Sequence, residues 1–280
     1  MRGFERYLPV WVILCVGLGL LLSQTVPGLS RAIDSLQVHG VSLTIGVCLF
    51  LMMYPAMLNL QWAELRKLRR NPKPILLTVL SNWVLAPLVA AGLAALFLRG
   101  NQELIVAVIL LGASPCTAMV LVWGKLAEGN QEQNVVNTSL NTLAIIVFYV
   151  PIVSLLTGIQ NIPLDRALLA ISAGVFIGAP LVLGVVSKCV IVRAKGEDWF
   201  LRTYRPAVGN VAIVALLVTL VVLFALNGEV LLHHFDQLLL VSVPLLLGFA
   251  IIVAFNLLAT RALKFAYREA IIATIIGSSS

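Results

Sequence analysis

Apolar residues run along this chain in long blocks, and the charged positions between them recur at spacings close to the thickness of a bilayer. Cutting the sequence at every Asp, Glu, Lys and Arg leaves eight uncharged stretches of spanning length: 7–30, 35–63, 74–98, 104–124, 133–164, 167–187, 206–228 and 237–260. Each exceeds the roughly 20 residues an α-helix needs to cross ~30 Å of hydrocarbon. A ninth stretch starts at Ala270 and runs to Ser280, about half a crossing. The pattern predicts an all-α polytopic membrane protein with eight spanning helices and the first part of a ninth.

Composition agrees. Hydrophobic residues make up 60% of the 280 and charged residues 11%, with mean hydropathy +1.03, whereas soluble domains carry about half and about a quarter. The net charge of +7 is a topology signal and not a nucleic-acid footprint. With the N-terminus inside and the runs alternating, 16 of the 19 Lys and Arg residues fall in inside segments, and only Arg31, Arg99 and Arg166 fall outside. Cytoplasmic loops collect such residues. Residues 1–30 also have the basic start and apolar stretch of a secretory signal, but no small-x-small cleavage site follows. They are read as the first membrane helix of a protein in the cell (inner or plasma) membrane.

The starts of the runs pair at a near-constant offset. Positions 7 and 167, 74 and 237, and 104 and 270 are separated by 160, 163 and 166 residues, and 35 and 206 more loosely by 171. Five helices per unit place the second unit in the membrane upside down, as an inverted repeat. The expected halves are 1–160, a first five-helix repeat, and 161–280, a second and incomplete one.

Small, helix-poor residues recur at matching depth in the fourth and ninth runs: Gly112-Ala113-Ser114-Pro115 and Gly277-Ser278-Ser279-Ser280. Paired interruptions of this kind mark substrate sites in secondary transporters, because backbone groups freed in a membrane must face protein or a wet cavity. The competing reading is close helix packing through small residues. Cys116 follows Pro115, which has no N–H to give. Its thiol is thus presented at a backbone break, and soft sulfur in a transport cavity suits a thiophilic substrate. Cys15, Cys48 and Cys189 read as small packing residues. Asn137 and Asn141, four apart in the fifth run, share a helix face with Thr138 and Thr142 beside them; they form either a polar cavity wall or interhelical hydrogen bonds, and Asn82 is a further polar candidate. Trp62, Trp83, Trp123 and Trp199 read as candidate interfacial anchors. No carboxylate lies well inside a span. Motifs for nucleotide-driven pumping or the common hydrolases do not occur, so the chain is not expected to be an enzyme or to need a cofactor.

The stretches "SPCTAMVLVWGKLAEGN" (114–130), "MYPAML" (53–58), "NPKPILLTVLSNWVLAPL" (71–88) and "GSSS" (277–280) resemble the arsenite permeases of the arsenical resistance 3 family, in the bile acid/arsenite/riboflavin transporter superfamily. The resemblance covers nearly the whole chain. It implies a ten-helix inverted-repeat carrier with broken, crossing fourth and ninth helices, exporting trivalent arsenite and sometimes antimonite against an inward proton flow. The family's essential fourth-helix cysteine falls on Cys116. Where the family has an Asn-Asp pair in its fifth helix, this chain has Asn141-Thr142, and the family's ninth-helix glutamate would lie beyond Ser280. On this reading the parent gene continues for about 50 to 70 residues, enough for the rest of the ninth helix and a tenth.

The expected substrate site is therefore Cys116, as the soft ligand for As(III), with Ser114, Pro115, Thr117, Asn141, Gly277 and Ser278, and with Asn137 and Asn82 as possible cavity wall. The proton gradient is the expected energy source, and the lipid bilayer the surrounding partner. Two rival readings stand beside it: a sodium-coupled organic-anion carrier of the same superfamily, in which Cys116 is incidental, and a membrane scaffold or receptor, which would have no need of broken helices.

Overall fold

In hydrocarbon there is no water to pair with backbone N–H and C=O groups, so each apolar run must satisfy them within itself, and the α-helix does so. The structure, a computed structural model, describes residues 7–25, 37–38, 41–58, 72–117, 119–160, 162, 165–233 and 235–279. The helices are α1 (Leu8–Thr25), α2 (Leu43–Leu58), α3 (Pro72–Phe97), α4 (Gln102–Gly112), α5 (Met119–Leu126), α6 (Gln131–Ile159), α7 (166–195), α8 (197–233), α9 (Phe235–Ala262) and α10 (Tyr267–Gly277). The fourth run forms two helices, α4 and α5, as its Gly-Ala-Ser-Pro sequence predicts. Among the described residues, five segments are long and apolar enough to span alone: Pro72–Phe97, Gln131–Ile159, Leu169–Lys195, Glu197–Gly228 and Asp236–Ala262. Before α2 lies a two-residue antiparallel ladder, Gln37–Val38 against Val41–Ser42. Trp62, His39, His234, Ser280 and the basic segment 61–71 lie outside the described residues.

Among the described residues, three helices carry a π turn, at Ser81–Leu85 in α3, Gly174–Gly178 in α7 and Phe200–Tyr204 in α8. Each turn ends two residues before a proline: Pro87, Pro180 and Pro206. A proline gives no N–H and its ring crowds the carbonyl four residues back. Shifting the ladder by one residue relieves both problems. The Ala86 and Arg205 N–H groups accordingly donate five residues back, to the Ser81 and Phe200 carbonyls. Pro55, Pro151 and Pro244 are carried inside α2, α6 and α9.

The helices group into two compact units, each taking segments from both halves of the sequence: 1–58 with 179–238, and 59–178 with 239–280. In the first, α8 packs on α1 and α2, and the second part of α7 packs on α2. Glycines set these approaches. A Cβ at Gly19 would stand 2.7 Å from the Val221 carbonyl oxygen, one at Gly184 2.8 Å from Met57 Cβ, and one at Gly228 2.7 Å from Ser23 Cβ. Close backbone contact through small residues is how apolar helices gain packing where lipid is as apolar as they are. In the second unit, Ala91 and Ala94 of α3, Leu98 just after it, Ile105, Val108 and Ile109 of α4, and Leu156 of α6 form one core, with Val241 and Leu245 of α9 against it. A further cluster of Val120, Ile272 and Ile276 joins α5 to α10.

Candidate functional site

The α4 helix closes with the Ala113 N–H on the Ile109 carbonyl and the Ser114 N–H on that of Leu111. Pro115 cannot continue the ladder, residues 114–117 lie outside any helix, and α5 begins at Met119. The α10 helix ends at Gly277, where Ser278 and Ser279 turn their N–H groups back to Thr274 and Ile276. Their hydroxyls donate to the same two carbonyls, at 2.6 and 2.7 Å, so side chains satisfy what the helix end leaves open. The two breaks then meet: the Cys116 N–H donates to the Ser279 carbonyl at 2.9 Å.

This contact changes what Cys116 offers. Its backbone donor is engaged by the other break, and the unbridged thiol is the group left for chemistry. The side chain is half-buried and rests against the Val120, Ile272 and Ile276 cluster. Pro115 and Thr117 are buried beside it, while Ser114 is exposed. The small residues of the breaks pack closely, as the competing reading has it: Gly112 lets α4 approach Ala90 of α3, and Gly277 gives room to the Asn256 amide, which a Cβ would meet at 2.7 Å. At the far end of α5, the Asn130 N–H donates to the Arg268 carbonyl at 2.8 Å, and Arg268 Nε donates back to the Glu128 carbonyl at 3.2 Å. The turn before α6 is thereby tied to the start of α10.

The fifth run's polar face is buried throughout, with Asn134, Asn137, Thr138, Asn141 and Thr142 all on α6. Asn137 Nδ2 donates to Thr78 Oγ1 of α3 at 3.1 Å, and Asn134 Nδ2 donates to the Leu121 carbonyl of α5 at 3.2 Å. Asn141 Oδ1 accepts from Trp83 Nε1 at 3.3 Å. The amides do bridge helices, and Asn134 Oδ1, Asn137 Oδ1, Thr138 Oγ1 and Asn141 Nδ2 are buried without a hydrogen bond. Asn82 is fully buried inside the α3 π turn.

Trp83 corrects an expectation. It is no interfacial anchor but a core residue, 5% exposed, packed with Ala144 and Ile145 and bonded to Asn141. Ser81, missed in the sequence, and Asn256, one of the polar residues within the apolar runs, also belong here. Ser81 Oγ donates to the Gly277 carbonyl at 2.7 Å, and Asn256 Nδ2 donates to Ser81 Oγ at 2.7 Å. The available signal was a serine and an asparagine inside apolar runs, which hydropathy alone does not rank.

Among the described residues, no three His, Cys, Asp or Glu side chains converge as a metal site would require. A single thiol with hydroxyl and amide neighbours can bind a soft centre and release it, where several thiolates would hold it.

The Sodium Bile acid symporter family matches residues 46–234. An uncharacterized transporter of Synechocystis sp. is 34% identical over 99% of this chain and 77% of its own length. The arsenical-resistance protein Acr3 of Alkaliphilus metalliredigens is 33% identical over 99% of the chain and 80% of its own. Its namesake from Corynebacterium glutamicum is 30% identical over 92% and 72%. The chain thus belongs to the Sodium Bile acid symporter family, as a multi-pass membrane transporter and not an enzyme, among relatives that include the arsenical-resistance proteins.

Proposed function

We propose that this transporter exports trivalent arsenite, and with it antimonite, from the cytosol, with Cys116 as a transient soft ligand. The observation that carries the reading is one unbridged thiol held at the meeting point of two helix breaks. The names of the arsenical-resistance relatives support it. At physiological pH arsenite is the neutral trihydroxide. Attack by Cys116 sulfur forms an As–S bond and breaks one As–O bond, and the thiol proton leaves with the hydroxide as water. No electron changes hands, and adding water back on the far side releases the cargo. Ser114, Thr117 and Asn141 supply the harder contacts around the remaining hydroxyls, with Asn137 and Asn82 in the wall behind them.

In this account the halves 1–160 and 161–280 are inverted repeats, the N-terminus is cytoplasmic in the cell membrane, and one group of helices rocks against another around the site. Inward proton flow drives the cycle. The decisive experiment expresses the gene encoding this chain in arsenite-sensitive cells and follows As(III) uptake into everted vesicles for wild type and Cys116→Ser. Loss of transport with normal membrane insertion is the expected result; unchanged transport overturns the thiol's role.

One set of atoms favours a second reading, a sodium-coupled organic-anion carrier. Asn134 Oδ1, Asn137 Oδ1 and Thr138 Oγ1 are buried oxygens without hydrogen bonds, and hard cations take oxygen donors. Sodium-dependent uptake that survives Cys116→Ser would put that reading first.

A further inference from the structure

We infer that Ser81 and Asn256 are positioning residues that hold the end of α10 in place and through it set the exposure and reactivity of the Cys116 thiol. The inference deepens the proposed substrate site and takes Cys116 from that reading. Three buried groups form an ordered chain: Asn256 Nδ2 donates to Ser81 Oγ at 2.7 Å, and Ser81 Oγ donates to the Gly277 carbonyl at 2.7 Å. Ser81 and Asn256 are both 0% exposed. A serine hydroxyl has a single proton. Since that proton goes to the carbonyl, the amide facing Ser81 must be the donor, which fixes the Asn256 orientation. Its second proton is directed at the Ile252 carbonyl at 2.9 Å within α9.

The chain reaches the thiol in two steps. Gly277 is the last residue of α10, and an unpaired carbonyl at a buried helix end costs about as much as a lost hydrogen bond; Ser81 removes that cost in one position only. Two residues on, the Ser279 carbonyl takes the Cys116 N–H. The same helix supplies Ile272 and Ile276, against which the Cys116 side chain rests. The α3 π turn that begins at Ser81 gives the serine its place: the Pro87 that brings a π turn to α3 thereby helps to position the α10 end. Asn256 also explains why residue 277 is glycine, because a Cβ there would stand 2.7 Å from Asn256 Oδ1.

The test reads Cys116 directly. In a Cys15→Ala, Cys48→Ala, Cys189→Ala background, the alkylation rate of the remaining thiol by a small maleimide is measured in membranes for Ser81→Ala, Asn256→Leu, the double variant and Ser81→Thr. Losing one hydrogen bond of ordinary net strength should raise the rate by up to about tenfold in each single variant. Because both act through one carbonyl, the double variant should react no faster than Ser81→Ala. The Thr variant, which keeps the hydroxyl, should return toward the parent rate.

Equal rates in all variants, or rates that multiply in the double, would overturn the inference. Should Ser81→Ala fail to insert, Gly277→Ala provides the second route, since its methyl displaces Asn256 and leaves Ser81 intact. It should raise the rate, and an unchanged rate counts against the inference. The readout needs no arsenite. A protein that moves none would still show the pattern if the positioning chain exists, and one that moves arsenite with equal alkylation rates would refute the chain alone.

Discussion

The two compact units of this transporter solve the same problem, holding helices together in lipid, by different means. Among the described residues, fifteen of the sixteen buried polar side chains belong to the unit formed by 59–178 and 239–280; Thr219 alone belongs to the other. The unit of 1–58 and 179–238 brings helices together at Gly19, Gly184 and Gly228, and a hydroxyl–hydroxyl bond it makes between helices, Tyr54 to Tyr204 at 2.8 Å, is only partly buried. Buried amides in hydrocarbon are costly unless paired. A unit that concentrates them, and leaves several unpaired, is organised around something other than its own stability. The difference is what the proposed site at the two breaks, in the polar unit, would require.

The largest effect that could break this comparison is at Cys116. Cys116→Ser should bring As(III) efflux down to the level of cells lacking the transporter, while membrane yield stays at the parent level. Arsenate, an oxyanion that makes no direct As–S bond, should be rejected by the parent protein. Measurable arsenate flux would detach the thiol from substrate choice and with it the special status of the polar unit.

Much of this comparison was legible in the sequence, and what was not has a physical cause. Most of each uncharged run became helix in its described part, because backbone pairing in lipid allows little else; the exceptions include the short ladder of Gln37–Val38 with Val41–Ser42 and the break after Gly112. The interruption at Ser114-Pro115 was visible because proline lacks an N–H. Ser81 was hidden because its meaning lies in a partner 196 residues away. Trp83 was misjudged because a tryptophan is equally at home at an interface or bonded in a core. The interleaving of the halves was also invisible, since short loops determine which helices are consecutive and leave open which ones pack. The π turns could have been anticipated from Pro87, Pro180 and Pro206, but Pro55, Pro151 and Pro244 lie in apolar runs too and carry none.

Next in size is the polar face of α6. Asn137→Ala removes the donor to Thr78 Oγ1 and should cost about 1–3 kcal/mol of stability, as truncations of buried hydrogen-bonded groups do. If the face is also cavity wall, the As(III) efflux rate should fall by more than the loss of folded protein accounts for. A fall matching protein yield would assign Asn137 to bundle stability alone and shrink the site toward Cys116.

The glycine contacts should behave in the opposite way. Gly19→Val forces a branched side chain toward the Val221 carbonyl and Phe224 Cβ, an overpacking that typically costs about 1–3 kcal/mol. Thermal stability in detergent should drop, while the surviving folded protein keeps the parent's half-saturating arsenite concentration. A shifted half-saturation would show that the apolar unit also shapes the site.

The smallest expected effect is the most exacting. Cys15 is half-buried in α1, Cys48 buried in α2 and Cys189 exposed on α7, so all three lie in the apolar unit. If thiols act only in the polar unit, converting all three to alanine should leave As(III) efflux within about twofold of the parent, the range of substitutions that touch no special feature. Arsenic chemistry points the same way as the positions of these thiols. One As–S bond exchanges readily with water, whereas three thiolates around one arsenic would bind it too tightly to cycle. A transporter that stopped working without Cys15, Cys48 and Cys189 would have to gather its thiols at some stage of the cycle. That would require the two units to share the ligand set that this comparison assigns to one of them.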